Sequence, residues 1–242
     1  MIRKTLRVVA AAAMLVPFGH ALVPAPAAAQ SEADMIEAVT IHPPVAAPFP
    51  CSEHALGAED HVPDALAADC VVVRRNGGPN GNLASLHTGD GTRNEDWHSW
   101  REPLLAPFDG VVLGIQINPD STIPGVRGEG RSSAIGFTQL VDGEPTDLHV
   151  AFVHVREVFV SEGDTVRAGE PVARIGNNGS SFHPHVHVGA FRGGMMSEDA
   201  VPLQVACASD PRWAHIRFVR LTSSREVEAF AASVERKAQA AD

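Results

Sequence analysis

From Val71 to Val188 the chain advances in short apolar runs, each cut off by a Gly, Asp, Asn or Pro turn before a helical period develops. Val71-Val72-Val73, Val111 to Ile117, Ala134 to Leu140, Leu148 to Val155, Val158 to Val160 and Pro171 to Ile175 read as strands. Asp109-Gly110, Asp142-Gly143, Gly163-Asp164 and Ala168-Gly169 read as the turns among them. Asp142-Gly143 between two alternating runs is a hairpin signal. The pattern predicts an all-β fold, an antiparallel sandwich or sheet groove. One helical signature stands apart, where the capping-box pattern Ser223-Ser224-Arg225-Glu226 precedes Val227, Phe230, Ala231 and Val234 at helical spacing.

Within this β pattern, Pro184-His185-Val186-His187-Val188 carries the strongest chemical signal. Side chains two apart on a strand leave the same face, so His185 and His187 can reach one metal ion or one water while Val186 and Val188 enter the core. The same alternation also fits a half-buried strand whose histidines face solvent.

The 242 residues suffice for a sizeable core in one or two domains. Arg3, Lys4 and Arg7 precede an apolar run from Val8 to Phe18, and Ala27-Ala28-Ala29 is a small-residue cleavage site. Residues 1–29 are therefore expected to be a secretory signal peptide. The apolar run is short and broken by Pro17, against a membrane anchor, and nothing later suggests a stable membrane span. Cleavage would remove three basic and no acidic residues from a chain of net charge −10, and no basic patch with interleaved aromatics argues for a nucleic-acid partner.

Residues 30–69 read as a Pro/Ala-rich extension, 70–205 as the β domain and 206–242 as a tail with the short helix. The Gly- and Pro-rich stretch Asn118 to Arg131 is too long for a tight turn and is expected to overhang a groove. In an oxidising compartment a disulfide is plausible among Cys51, Cys70 and Cys207. Cys51 and Cys70 are nearest in sequence, which would leave Cys207 as a free thiol, but spacing alone does not fix the pairing.

The order of several segments is recognisable. Glu95-Asp96-Trp97, Leu105 to Val112, Phe152-Val153-His154-Val155, Val160 to Val172, and Gly176-Asn177-Asn178-Gly179 leading to His185-Val186-His187 together resemble the LytM and lysostaphin-type zinc endopeptidases. The resemblance spans roughly residues 84 to 192. It implies a β-sheet groove of the duplicated hybrid motif type, one Zn2+ per chain, and cleavage of peptide cross-links in bacterial peptidoglycan by a secreted or periplasmic enzyme.

Carried over residue by residue, the resemblance makes His187 a zinc ligand and His185 and His154 catalytic histidines. The first ligand pair departs from the family pattern of His, three residues, then Asp, because Thr92 stands four residues before Asp96. His87 with Asp96 is the favoured pair, the intervening loop bulging out through its glycines. Asp90, three residues after His87, and His98, two after Asp96, are rivals. His183 is assigned to the groove rim and His149 to a structural role.

A zinc hydrolase needs three protein ligands and an open position for water. The expected function is thus a zinc metallopeptidase acting on peptidoglycan peptide. A catalytically degenerate relative that binds cell-wall peptide or regulates another hydrolase is the alternative. A biotinyl or lipoyl carrier is a weaker one, since no carrier lysine follows Gly169-Glu170.

Overall fold

A computed structural model describes residues 37–54, 65–76, 83–195 and 200–207. The expected signal peptide and C-terminal helix lie outside the described residues. The chain enters through β1 (Ala38–Ile41), β2 (Cys51–Glu53), β3 (Ala68–Cys70), β4 (Arg74–Asn76) and β5 (Leu83–Ser85). It continues through β6 (Pro103–Leu105), β7 (Gly110–Gln116), β8 (Ala134–Val141), β9 (Glu144–Val153) and β10 (Val155–Arg156). β11 (Thr165–Val166), β12 (Pro171–Ile175), β13 (Val186–Arg192) and β14 (Val201–Cys207) complete it.

The fold is all-β. Its nine-stranded sheet runs β1-β14-β13-β9-β8-β7-β11, with the β2-β3 hairpin joined to β13 through β3. β10-β12-β6 form a smaller sheet, and β4 pairs β5. All pairings are antiparallel except β1 with β14. The expected hairpin is present: Asp142 and Gly143 both adopt positive φ, 55° and 86°, the conformation that matches the twist of strands β8 and β9.

Alternation fills the core from one face of this sheet. Ile135 and Phe137 on β8, Val150 and Phe152 on β9, and Val186 and Val188 on β13 are buried together. Phe137 and Phe152 meet edge to face, with ring centroids 5.5 Å apart.

Three local expectations change. Residues 37–54, read from sequence as part of a loosely packed extension, contribute β1 and β2 and bury Ile41, Val45 and Phe49. Val71-Val72-Val73 is extended but not a sheet strand. Its partners are Pro48 and Pro50, whose carbonyls accept from Val73 N and Val71 N, and a proline cannot return the bond. Val158 to Val160 is likewise an extended edge, tied to β12 by the bond from Phe159 N to Val172 O.

Candidate metal centre and catalytic groove

On β13 the alternation places His187 opposite the core valines, and His185 shares its parity one residue before the strand begins. The histidine face is not open to water. His185 and His187 are 6% and 8% exposed, so they belong to the floor of a groove rather than to a decorated surface strand.

The residue paired with His187 across the ladder is Asp69 of β3. Facing residues on antiparallel strands present side chains on one face. The β2-β3 register, Cys51↔Cys70, Ser52↔Asp69 and Glu53↔Ala68, continues through the bond from His54 N to Ala67 O. Parity therefore sends His54 to the same face as Asp69 and His187, and sends Cys51 and Cys70 to the other face, where they form a disulfide.

Three donors converge there. His187 Nδ1 lies 2.9 Å from Asp69 Oδ1 and His54 Nε2 lies 3.2 Å from Asp69 Oδ2. All three ligand atoms fall within 4.8 Å of one another, the metal-ligand grouping found among the described residues. Tetrahedral zinc with bonds of ~2.0–2.1 Å separates neighbouring donor atoms by roughly 3.3 Å. Two imidazole nitrogens and a carboxylate oxygen at this spacing fit that ion and leave a fourth position open.

His154 reaches the same groove by breaking the strand rule. Alternation along β9 would send it to the core face with Phe152, but its φ of 64° turns the chain and redirects the ring. A non-glycine residue held there carries strain of about 1–3 kcal/mol. The surroundings impose it: His154 N donates to Ser133 O, Gly176 N donates to His154 O, and His154 Nδ1 donates to Asn178 O, each at 2.8 Å. Nε2 is left as the nitrogen available to the groove.

His185 is oriented similarly, its Nδ1 donating to His183 O at 2.8 Å while Nε2 sits 3.4 Å from Asp69 Oδ1. The rings of His154 and His185 are 4.6 Å apart.

Electrostatics separate these groups. Burial, then the neighbouring His185, lower the His154 pKa to about 3. The same two causes lower His183 to about 4. At His185 burial also acts downward, but the hydrogen bond and charge of Asp69 outweigh it and raise the pKa. Burial pushes the Asp69 carboxyl up, and hydrogen bonds from His185, His187 and His54 prevail, holding it well below the usual carboxylate range.

The other sequence candidates occupy a separate loop. His87 bridges to Trp97, Asp96 Oδ2 accepts from Arg93 N at 3.2 Å, and Asp90 Oδ1 accepts from both Thr92 N and Thr92 Oγ1. His98 Nε2 meets Ser85 Oγ at 3.1 Å. These are turn and strand-end contacts, and the loop touches the histidine groove through Trp97, stacked on His183 at 4.6 Å. Thus the structure gathers His154, His185 and His187 with His54 and Asp69, and places His87 and Asp96 on the separate loop. His149 bonds Thr138 Oγ1 at 2.9 Å on its strand.

The missed pair had a sequence signal. His54 lies three residues after Cys51 and Asp69 directly precedes Cys70. Pairing the two nearest cysteines would have brought that histidine and carboxylate together.

The groove has a volume of about 570 Å³ and is lined by His54, Asp69, His154, His185 and His187 among others. Residues 99–198 match the family model of peptidase family M23. That segment, which holds His154, His183, His185 and His187, is what this chain shares with the M23 peptidases. His54 and Asp69 lie upstream of the match.

Solved structures similar to it include a single-substitution variant of the catalytic domain of the prophage-encoded M23 protein EnpA from Enterococcus faecalis. It is 20% identical, with 66% of this chain and 92% of that chain covered and a TM-score of 0.39. The catalytic domain of the antimicrobial peptidase lysostaphin from Staphylococcus simulans is 17% identical, with 64% and 88% covered and a TM-score of 0.37. A zinc containing peptidase from Vibrio cholerae is 13% identical, with 58% and 49% covered and a TM-score of 0.32.

Proposed function

We propose that this protein is an M23 peptidase, a secreted, zinc-dependent endopeptidase that hydrolyses peptide cross-links of bacterial peptidoglycan. Convergence of His54, Asp69 and His187 on the floor of a groove that His154 and His185 also line carries the reading. His54, Asp69 and His187 hold the metal, with His54 and Asp69 taking the places that sequence gave to His87 and Asp96. When bound, zinc supplies Lewis acidity towards a carbonyl and makes water acidic enough to act as a nucleophile near neutral pH.

The chain's own residues do the rest. The groove floor aligns an extended peptide over the histidines. His154 Nε2, its ring fixed through Nδ1 by the Asn178 carbonyl, accepts a proton from the attacking water. His185, fixed through Nδ1 by the His183 carbonyl, presents Nε2 to the oxygen on which negative charge develops and to the departing amine. The disulfide supports action outside the cytoplasm, with residues 1–29 as leader.

A complete donor set supports this enzymatic reading over a metal-free wall-binding protein. Metal analysis of the purified mature protein, alongside release of soluble peptides from peptidoglycan, tests it. About one zinc per chain and release of peptides that stops on chelation are expected. Wall binding without metal or cleavage would sink the proposal in favour of the binding protein.

A further inference from the structure

Two arginines stand on the wall of the groove that holds the histidines. Arg127 and Arg131 line it, and Asp69 is the one carboxylate among the described lining residues. In a chain of net charge −10 that local balance is unusual. Six other arginines, Arg74, Arg93, Arg101, Arg156, Arg174 and Arg192, pair with carboxylates. Arg127 and Arg131 instead hold neutral groups: Arg127 Nε donates to Ser180 Oγ at 2.9 Å, and Arg131 Nη1 donates to Gln116 Oε1 at 3.4 Å. Arg127 also lies over the Phe182 ring, 5.8 Å from its centroid.

The segment that carries them is fastened to the histidine loop. Gly125 N donates to Phe182 O, Gly128 N to Ser181 O and Thr122 N to Asn177 O. Gly128 approaches so closely that a Cβ there would collide with the Gly179 carbonyl oxygen. Residues 179–183 lead directly into His185, so the backbone that carries the arginines is fastened beside the candidate catalytic histidines. Both side chains are exposed and keep further N–H donors, and a guanidinium's planar fork suits a carboxylate.

We propose that Arg127 and Arg131 bind a free carboxylate of the substrate, so that the enzyme takes an acidic peptide in preference to its neutral amide. This deepens the peptidase reading and rests on it for the location of the groove.

The test compares purified peptidoglycan in two forms, native and with its free carboxylates converted to amides, using co-sedimentation for binding and peptide release for cleavage. Overall charge predicts the opposite sign, because a protein of net charge −10 is repelled more by the acidic wall than by the amidated one. If the arginines act as proposed, native material binds about tenfold or more tightly than amidated material. In Arg127→Gln/Arg131→Gln that ratio collapses towards one, and Arg→Lys at both positions restores part of it. Equal binding of both forms by the wild-type protein, or tighter binding of the amide, overturns the arginine assignment and leaves the peptidase reading intact if peptides are still released. Binding of neither form overturns the arginine assignment, and the absence of released peptides as well overturns both. The wild-type comparison decides even if the glutamine variant does not fold.

Discussion

β13 carries His187 inside the nine-stranded sheet and His185 directly before its first residue, whereas His54 and Asp69 arrive on a short hairpin closed by a disulfide. The first arm is held on both edges, by β9 along one side and by β3 and β14 along the other. Its valines are buried in the main core, so its histidines inherit the rigidity of the sheet. The second arm has three-residue strands and depends on pairing to β13 and on the Cys51–Cys70 link. If His54, Asp69 and His187 hold the metal as proposed, a shell assembled from one rigid and one clamped arm should respond unequally to damage.

The sharpest break would come from the donors themselves. Asp69→Ala or His187→Ala should abolish metal retention and lower peptide release by at least about 10³-fold, since removal of a single well-placed electrostatic donor already costs ~10²–10³. Asp96→Ala and His87→Ala should retain the metal. Metal content after dialysis separates the two outcomes, and retention in Asp69→Ala with loss in Asp96→Ala would return the first ligand arm to residues 87–96.

A smaller effect should distinguish the arms without touching a ligand. Closing a loop between residues 19 apart is worth about 3 kcal/mol by chain entropy. Cys51→Ser/Cys70→Ser should therefore lower unfolding free energy by up to that amount. It should also weaken metal binding by roughly 10–100-fold, the usual cost of losing support for a ligand. A competition titration with a chelator reads the affinity; no change in it would mean that β3 is positioned by β13 alone.

The rigid arm was legible in the sequence because period-two alternation survives whatever surrounds it, and His-Val-His-Val states both its faces. The Asp142-Gly143 turn was legible for a similar local reason. His154 was found through resemblance alone, because its placement violates alternation: only a positive φ brings it to the groove. His54 and Asp69 were hidden because the contact is set by strand register between distant segments. Val71 to Val73 misled for the converse reason. Its composition suits a strand, but the prolines beside it cannot complete a ladder.

Acid should probe that redirected histidine. His154 has a native pKa of about 3 against a value near 6.5 when unfolded. Between these values the unfolded chain holds a proton that the native chain refuses, so this contribution is complete above pH 6.5 and declines as pH falls towards 3. In the metal-stripped protein, stability should fall by up to ~1.4 kcal/mol per pH unit across this window on account of His154. His154→Asn keeps a side chain that tolerates the left-handed backbone. Its denaturation curves should lose that increment of pH dependence; identical slopes would place the acid sensitivity in other groups.

The smallest expected effect tests the contact between the segment leading into His185 and the loop that sequence favoured for the first ligands. Trp97 stacks on His183 with the rings 6° from parallel, and His183 precedes His185 by two residues, so residues 87–97 reach the groove at its rim. An aromatic pair contributes ~0.5–1.5 kcal/mol beyond area burial. Trp97→Leu should accordingly raise KM by about 2- to 10-fold with metal content and kcat nearly unchanged, because the side chain supports the groove edge and no donor. A loss of metal in this variant would show instead that the loop carrying His87 and Asp96 governs the shell. An unaltered KM would make the stack a packing contact with no bearing on substrate.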